Sequence, residues 1–525
     1  MMRETAADAV VVGSGFGGAM AARALLDAGL TVRMLERGDW SERRAGSAPR
    51  GPTDLAPFFD QAIPHRIGAG GNGAVPDDFC NVGGPSLYFA AVSSRFRARD
   101  FEPAPEIVED SGAEWPFGYD ELEPYYADAE ALLGIAGPAA GGRTEPYRSR
   151  PYPQALGPLS PAATRLDDAA RRLGLSPFRL PLAIHYGGDG RRPCEACAFC
   201  DGFPCLVGAK NDVAARLLPP LLRCGMRLET GAAATRLLVR GDRVVAVETQ
   251  NVRTGTRARH GATIVVVSAG ALATPGLLLA SGLARLNPAG ARIGRYLMRH
   301  CNAHVFGLFP RRPDPERRFH KEIALDDFYF GHPGIPEPPG KLGMIQQMAT
   351  PWVVLVLLPR RAARLVASIV EHLTGFIVMA EDQPRWENRV LLDPGSGDGP
   401  PRTRVVYRHS PRDLAARAAL IRQARRVLRE AGAPIQVPYR LNTFSHAVGT
   451  VRMGGDPAQS PLDPDGRFRG LENLYVADGS ALPTAAGVNP SLTIAATALR
   501  TGWHAAADAP ARPRSQPRTE PREPA

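Results

Sequence analysis

A glycine-rich turn near the start of the chain constrains the fold more than any other feature of the sequence. Residues 10–18 read V-V-V-G-S-G-F-G-G and have the G-x-G-x-x-G spacing. The turn follows an apolar run at residues 9–12, which is typical of a buried parallel strand, and precedes residues 19–28, which have helical composition. Residues 31–35 then indicate a second strand. The chain is therefore predicted to open with a β-α-β unit that binds a dinucleotide.

Each glycine of this turn has a separate task in binding a nucleotide. Gly13 permits the tight turn, Gly15 lets the backbone approach a pyrophosphate, and Gly18 lets the helix pack against the strand. The helix N-terminus directs partial positive charge at the phosphates. Glu36 follows the second strand, where its carboxylate can accept hydrogen bonds from a ribose. FAD and NAD both use this fingerprint, so the turn alone does not choose between them.

The length, charge and cysteine content limit the classes of protein to which the chain can belong. Its 525 residues exceed a single simple core, so two domains or two lobes are expected. The net charge is +10, but the arginines are scattered among acidic residues, so no nucleic-acid partner is predicted. Seven cysteines, an odd number in a large chain, argue against a disulfide framework and favour a reducing, cytoplasmic compartment.

No transmembrane segment is predicted. The longest strongly apolar stretch is residues 353–358, far shorter than the ~20 residues that cross a bilayer, and Pro359 and arginines follow it. This stretch predicts a buried strand followed by a helix, with docking to a membrane surface as the alternative. The N-terminus shows no secretory signal. Residues 508–525 alternate Pro, Arg and Glu, which predicts a disordered tail.

Two short segments near the C-terminus concentrate polar and turn-forming residues. Residues 444–454 read F-S-H-A-V-G-T-V-R-M-G, and residues 478–484 read D-G-S-A-L-P-T, shortly before an N-P pair that suits the start of a helix. Imidazole is the natural base near pH 7, and an amide can hold an oxygen by hydrogen bonds. These segments and the N-P pair contain His446, Asp478, Gly479, Asn489 and Pro490.

With these segments the chain resembles the glucose–methanol–choline (GMC) oxidoreductase family. Residues 270–283 resemble the second signature of that family, with Ala284 where a glycine is usual, and residues 81–88 resemble the stretch that lies along the flavin. Members with covalent FAD carry a histidine in this stretch. Tyr88 stands at the nearest position, so the resemblance implies non-covalent FAD. The cofactor-binding residues that it implies are Gly83, Gly84 and Ser86 in this stretch and Asp478, Gly479, Asn489 and Pro490 in the C-terminal segments.

The resemblance also implies an α/β fold with a Rossmann-like FAD-binding domain and a discontinuous α+β substrate-binding domain that contains an antiparallel sheet. The FAD-binding domain is expected to comprise residues 1–115, 195–302 and 441–507. The substrate-binding domain is expected to comprise residues 116–194 and 303–440. Both ends of the chain then build the flavin site.

The implied activity is FAD-dependent oxidation of the CH–OH group of a sugar, a polyol or another small alcohol. His446 is the expected general base for the hydroxyl proton, a role worth ~10²–10⁴-fold in rate, and Asn489 is expected to hold the substrate oxygen in line. The sequence does not say whether O2, a quinone or a carrier protein accepts the electrons. Two other classes remain: a flavin monooxygenase, which shares only the fingerprint, and a non-catalytic carrier, which would not need the pair.

A cysteine-dense run forms a separate candidate site. The cysteines stand at positions 194, 197, 200 and 205, and thiolates at such spacing bind zinc or iron–sulfur clusters. Some sugar dehydrogenases of the GMC family carry a three-iron cluster just before an A-K pair. By that resemblance Cys194, Cys200 and Cys205 would be the ligands, and the chain would be the catalytic subunit of a membrane-linked dehydrogenase complex. Reduced structural thiols and one or two disulfides are the alternatives.

Overall fold

The computed structural model describes most of the chain: residues 3–41, 62–63, 66–67, 78–139, 141–188, 190–197, 200–316, 318, 321–351, 360–397, 399–441 and 443–509. The apolar stretch at 353–358 and all but the first two residues of the expected disordered tail lie outside the described residues. No helix within the described ranges is both long enough and apolar enough to cross a membrane.

The strands, in chain order, are β1 (Arg3–Val12), β2 (Val32–Leu35), β3 (Ala62–Ile63), β4 (Arg66–Ile67), β5 (Asp78–Phe79), β6 (Ala136–Gly137), β7 (Gln154–Ala155), β8 (Phe178–Arg179), β9 (Arg227–Glu229), β10 (Ala232–Arg240), β11 (Arg243–Asn251), β12 (Arg257–Val267), β13 (Cys301–Leu308), β14 (Ile323–Leu325), β15 (Gly343–Met348), β16 (Leu373–Ala380), β17 (Arg389–Leu392), β18 (Thr403–Val406), β19 (Ile435–Arg440) and β20 (Leu474–Val476).

The α-helices are α1 (Phe16–Asp27), α2 (Pro105–Val108), α3 (Tyr119–Leu133), α4 (Pro161–Arg172), α5 (Val213–Arg216), α6 (Leu218–Arg223), α7 (Thr274–Ala280), α8 (Arg360–Val370), α9 (Pro411–Glu430) and α10 (Ser491–Ala507).

A seven-stranded sheet carries the dinucleotide fingerprint. Its parallel part runs β9-β2-β1-β12-β20, and the antiparallel pair β10–β11 joins it through β12. The valines of β1 and β12 are buried, as expected for central parallel strands covered on both faces. Helices α1 and α10 pack closely against each other, because Gly502 of α10 brings its backbone within reach of Ala21 and Ala24 of α1. The predicted Rossmann-like unit is confirmed.

A six-stranded antiparallel sheet, in the order β19-β13-β16-β15-β14-β8, forms the second core. Successive residues of β13 alternate between its two faces. Ala303 and Val305 lie in the core against α9 and α4, whereas His304 and Phe306 lie on the other face. The predicted antiparallel sheet is therefore confirmed, and one of its faces is left for contacts with the C-terminal segments. The assignment of residue ranges to two domains remains a proposal.

Candidate active site

The fingerprint turn joins β1 to α1 at the carboxyl end of the parallel sheet. Gly13 has φ +100°, and a Cβ there would lie 2.2 Å from the carbonyl oxygen of Ser268. A Cβ on Gly18 would lie 2.0 Å from the carbonyl oxygen of Gly13. Gly15 differs, because it has φ −70° and a Cβ there would meet nothing within 4 Å among the described residues. Packing therefore requires Gly13 and Gly18, while Gly15 faces open space.

Glu36 ties this turn to the segment that resembles the flavin-lining stretch. Its Oε2 accepts hydrogen bonds from the backbone N and the Oγ of Ser14, at 3.0 and 2.6 Å. The Ser14 Oγ in turn accepts one from the backbone N of Gly83, at 2.9 Å. Ser86 closes the following turn by donating to the carbonyl oxygen of Gly83, at 2.6 Å. A Cβ on Gly84 would lie 3.6 Å from Cα of Gly15, so all these predicted residues meet at one place.

The described residues at this place fit an FAD. Space lies beside Gly15, and neither α1 nor α10 has a side-chain cap at its N-terminus, so their first N–H groups are available to an anion. The Oδ1 atom of Asn81 is buried without a hydrogen-bond partner among the described residues. Pro490 precedes the first residue of α10, as predicted.

Asp478 joins two turns beside this place. Its Oδ2 accepts hydrogen bonds from the backbone N of Gly270 and from Oγ1 of Thr274, at 2.8 and 2.5 Å. Its Oδ1 accepts from the backbone N and the hydroxyl of Ser480. Burial raises the pKa of the Asp478 carboxyl, and these donors oppose the rise. The carboxylate therefore holds the protein's own turns, and Gly479 continues the link by accepting from the backbone N of Gly449, at 3.0 Å.

The two residues predicted to be catalytic contact each other. Nε2 of His446 lies 3.3 Å from Nδ2 of Asn489, although 43 positions separate them in the chain. Both side chains are partly exposed. Removal from bulk water lowers the pKa of His446 well below its ordinary value of 6.5, and the ammonium of nearby Lys321 lowers it further. A neutral imidazole is the form that a general base requires.

His300 is a site residue that the sequence analysis missed. Its Nδ1 lies 2.9 Å from Nδ1 of His446, and its Nε2 lies 2.9 and 3.1 Å from the carbonyl oxygens of Ala486 and Ala485. Its backbone N donates to Oδ1 of Asp382, at 2.9 Å, and its φ is +65°. A lone histidine ahead of a strand carries no local signal of this role, because its partners are far away in the sequence.

Gln346, on β15, is a second residue that the sequence analysis missed. Its Nε2 donates to Oδ1 of Asn489, at 2.8 Å. Gln346 lies opposite Ile377 on β16, and Ile377 lies opposite His304 on β13. Directly opposed residues share a face of a sheet, so Gln346 and His304 lie in one row beneath the predicted catalytic pair. The open face of the antiparallel sheet is thus the floor of the candidate site.

An ion pair between a buried lysine and a half-buried aspartate lies at the side of the site. Nζ of Lys321 lies 3.1 Å from Oδ2 of Asp201, and the lysine side chain is 6% exposed. Burial lowers the pKa of His304 to about 4, with a further contribution from the Lys321 charge. The site therefore combines three neutral histidines, His300, His304 and His446, with one ammonium–carboxylate pair.

Hydrogen bonds to buried side chains hold the backbone of the loop that carries Asn489. Oε1 of Glu381 accepts from the backbone N of Ala486, and the hydroxyl of Tyr329 accepts from the backbone N of Gly487, both at 2.8 Å. Nζ of Lys341 lies 2.5 Å from both Oε2 of Glu381 and Oδ1 of Asp100, and all three charges are buried. These contacts fix the backbone just ahead of Asn489.

The described residues do not fit the expected iron–sulfur cluster. Cys194, Cys200 and Cys205 lie close enough to influence one another's ionisation. Across the described ranges, no three His, Cys, Asp or Glu side chains are arranged to hold a metal ion. We derive no step through a cluster.

The sequence and the fold match one enzyme family. Two family models, both described as GMC oxidoreductase, match residues 108–302 and 384–498. A 6'''-hydroxyparomomycin C oxidase of Streptomyces lividus is 34% identical over 95% of this chain and 92% of its own length. The chain belongs to the GMC oxidoreductase family. It is accordingly an oxidoreductase that acts on alcohol or sugar CH–OH groups, and family membership supports FAD as its cofactor.

Other relatives agree with this assignment. A paromamine 6'-oxidase of Streptomyces fradiae is 33% identical over 95% of this GMC oxidoreductase and 91% of its own length. A 2-methyl-1,2-propanediol dehydrogenase of Mycolicibacterium austroafricanum is 28% identical over 94% of both chains. Among solved structures, pyridoxine 4-oxidase from Mesorbium loti superposes with a TM-score of 0.64 over 95% of this chain and 98% of its own, at 20% identity. That likeness shows the fold.

Proposed function

We propose that this GMC oxidoreductase oxidises a CH–OH group of a small, sugar-type alcohol, with His446 as general base and Asn489 as the residue that holds the substrate oxygen. The contact of 3.3 Å between Nε2 of His446 and Nδ2 of Asn489 carries the proposal. It brings a basic nitrogen and an amide donor to one point, where a hydroxyl can meet both. The open face of the antiparallel sheet forms the floor beneath them.

His446 takes the hydroxyl proton on Nε2. Its lowered pKa keeps the ring neutral and ready to accept near pH 7. The amide of Asn489 donates to the substrate oxygen and stabilises the negative charge that develops there as the proton leaves. Gln346 holds this amide in place through its own bond of 2.8 Å to Oδ1. The substrate is thus aligned by one base and one fixed donor.

FAD, when bound, supplies the acceptor for the hydride that leaves the substrate carbon. With Tyr88 in place of a histidine in the flavin-lining stretch, the proposed attachment is non-covalent. The residues proposed to hold the cofactor are Gly13, Gly15, Gly18, Glu36, Gly83, Gly84, Ser86, Asp478, Gly479, Asn489 and Pro490.

Polar groups around the pair support a sugar-type substrate. Gln346 and His304 on the floor, and Lys321 with Asp201 at the side, offer donors and acceptors for several hydroxyl groups. Two relatives with this architecture are named for oxidising paromamine and a hydroxyparomomycin, and a third for oxidising a diol. The thiols of Cys200, Cys205, Cys224 and Cys301 support the proposed reducing, cytoplasmic location.

The test is anaerobic titration of the FAD-reconstituted protein with a panel of alcohols. The panel includes paromamine, glucose, 2-methyl-1,2-propanediol and pyridoxine, and a matched set of the corresponding deoxy compounds serves as control. We expect at least one alcohol to bleach the oxidised-flavin absorbance, and its deoxy analogue to leave it unchanged. Readmitting O2, or adding a quinone, then identifies an oxidase or a dehydrogenase. A protein that takes up no FAD, or whose flavin no alcohol reduces, would overturn the proposal.

A further inference from the structure

We propose that His300 is a positioning residue that fixes the tautomer of His446 and so places the basic lone pair on Nε2. The inference rests on the proposed role of His446 as the base. It concerns a residue outside the segments that carry the family resemblance, and it follows from the direction of one chain of hydrogen bonds.

The direction of these hydrogen bonds is set at the end of the series, where the ring of His300 contacts two backbone carbonyl groups. Nε2 of His300 lies 2.9 Å from the carbonyl oxygen of Ala486 and 3.1 Å from that of Ala485. A carbonyl oxygen can only accept, so Nε2 of His300 must carry the proton. Burial, the largest influence on it, lowers the pKa of His300, so the ring is neutral. In a neutral imidazole with its proton on Nε2, the other nitrogen, Nδ1, is an acceptor.

The acceptor on His300 then dictates the state of His446. The two Nδ1 atoms lie 2.9 Å apart, so one must donate, and the donor is Nδ1 of His446. Its Nε2 consequently holds a lone pair, which faces Nδ2 of Asn489 at 3.3 Å. Oδ1 of Asn489 in turn accepts from Nε2 of Gln346, at 2.8 Å. The hydrogen bonds thus form one series from the amide of Gln346 to the carbonyl of Ala486. In each of them the donor is on the Gln346 side and the acceptor is on the Ala486 side.

This direction matters for catalysis because only one tautomer of His446 can act. A neutral histidine holds its proton on either nitrogen, and the hydrogen bond made by one nitrogen decides which. With the proton on Nε2, the ring would present a donor to the substrate hydroxyl and could not take its proton. Once His446 is protonated, its Nδ1–H still donates to His300, which continues to stabilise the imidazolium. Holding the ring in the correct tautomer is the task of the carboxylate in serine-protease triads.

Hydrogen bonds from the backbone also hold His300 in position. The carboxylate of Asp382 accepts from the backbone N of both Arg299 and His300, at 2.8 and 2.9 Å. The positive φ of +65° is tolerated by His and Asn better than by most residues. The charges that act on the His300 ring are those of Asp382, which favours protonation, and Lys341, which opposes it.

Two substitutions separate this role from mere packing. In His300→Asn the amide oxygen can accept from Nδ1 of His446 and the side chain suits the positive φ, whereas His300→Phe keeps a ring and removes the acceptor. We expect the rate of flavin reduction by alcohol to fall at least about 100-fold in His300→Phe and about tenfold or less in His300→Asn, with KM little changed in both. FAD content should match that of the wild type.

A direct readout of the tautomer does not depend on activity. The FAD-bound protein is labelled with ¹⁵N-histidine, and His446 is assigned by the signals that disappear in His446→Asn. We expect the proton on Nδ1 in the wild type and in His300→Asn, and on Nε2 or exchanging between the nitrogens in His300→Phe.

The two proposals fail in different ways. A wild-type His446 with its proton on Nε2, or a His300→Phe variant with the wild-type tautomer and reduction rate, would overturn the role of His300. If His300→Phe does not fold, the wild-type spectrum still decides. A tautomer that shifts as expected in a protein that oxidises no alcohol would leave the role of His300 intact and overturn the proposed function alone.

Discussion

At the scale of single residues, the electrostatics of His446 determine when the site can work. Burial, the largest influence, and the ammonium of Lys321 both lower its pKa. The basic form is therefore the dominant one above a pKa that lies well below 6.5, and it is lost as the pH falls through that value. The rate of flavin reduction should stay constant across neutral pH and decline only in acid.

Replacing Lys321 should move this acid limb. Lys321→Gln removes a positive charge that opposes protonation of His446, so the pKa rises and the rate begins to fall at a higher pH. The pH profile of the anaerobic reduction rate measures the shift. Asp201→Asn is the control, since it keeps the ammonium and removes only its partner. An acid limb that stays in place in Lys321→Gln, or that moves equally in both variants, would contradict the account.

At the scale of elements, the N-terminus of α1 can be compared with that of α3. Gly15 and Gly118 both precede the first residue of a helix in extended conformation without a side-chain cap, and a Cβ on either meets nothing within 4 Å. Gly15→Ala and Gly118→Ala should therefore cost similar, small amounts of stability. Only Gly15→Ala should weaken FAD binding, by tenfold or more, in titrations followed by flavin fluorescence. Equal FAD affinities would show that the space beside Gly15 is not the pyrophosphate site.

The charge cluster behind the catalytic loop gives a second prediction at this scale. Lys341→Met leaves the carboxylates of Asp100 and Glu381 buried without their cation, which should destabilise the holoprotein by about 3–5 kcal/mol. Uncompensated burial raises carboxyl pKa values above those of the unfolded chain, so the loss should shrink as the pH falls from 8 to 5. Thermal unfolding across that range measures it.

A control makes the Lys341 test specific. Adding Asp100→Asn and Glu381→Gln to Lys341→Met removes the unpaired charges and should recover part of the lost stability. A loss in Lys341→Met that does not depend on pH, or no recovery in the triple variant, would contradict this assignment.

The elements with strong local signals were predictable. The composition of residues 119–133 and 491–507 predicts a helix in each range, and α3 and α10 have these bounds, because clear terminal signals such as Gly134 after α3 and Pro490 before α10 mark their ends. β1 was predicted from residue 9, but it begins at Arg3, since its first half is held by pairing with β12. That pairing joins residues more than 250 positions apart, and no local pattern reports it.

At the scale of the whole molecule, the proposed catalytic pair depends on contacts between distant parts of the chain. The fingerprint, His446 and Asn489 could be found in the sequence, because each lies in a short, distinctive segment. His300 and Gln346 could not, since their roles arise only where the C-terminal loop meets the open face of the antiparallel sheet. The cysteine run shows the reverse case: a strong local pattern of half-buried thiols that, within the described residues, are not arranged to hold a metal ion.

FAD should stabilise the whole protein, because the proposed site draws on residues from both ends of the chain. A ligand that binds only the folded state adds about 2.7 kcal/mol at a free concentration 100 times its Kd. The thermal midpoint of the apoprotein should therefore rise with FAD concentration, and less so in Gly15→Ala at equal concentration. A midpoint that does not respond to FAD would contradict the site.

The most direct test of the central claim is anaerobic stopped-flow reduction of the flavin by the best alcohol substrate, in the wild type and in His446→Ala. The account predicts that both proteins hold FAD and that the variant reduces it ~10²–10⁴-fold more slowly, since only the base is missing. A His446→Ala protein that reduces its flavin at the wild-type rate would show that this histidine is not the base.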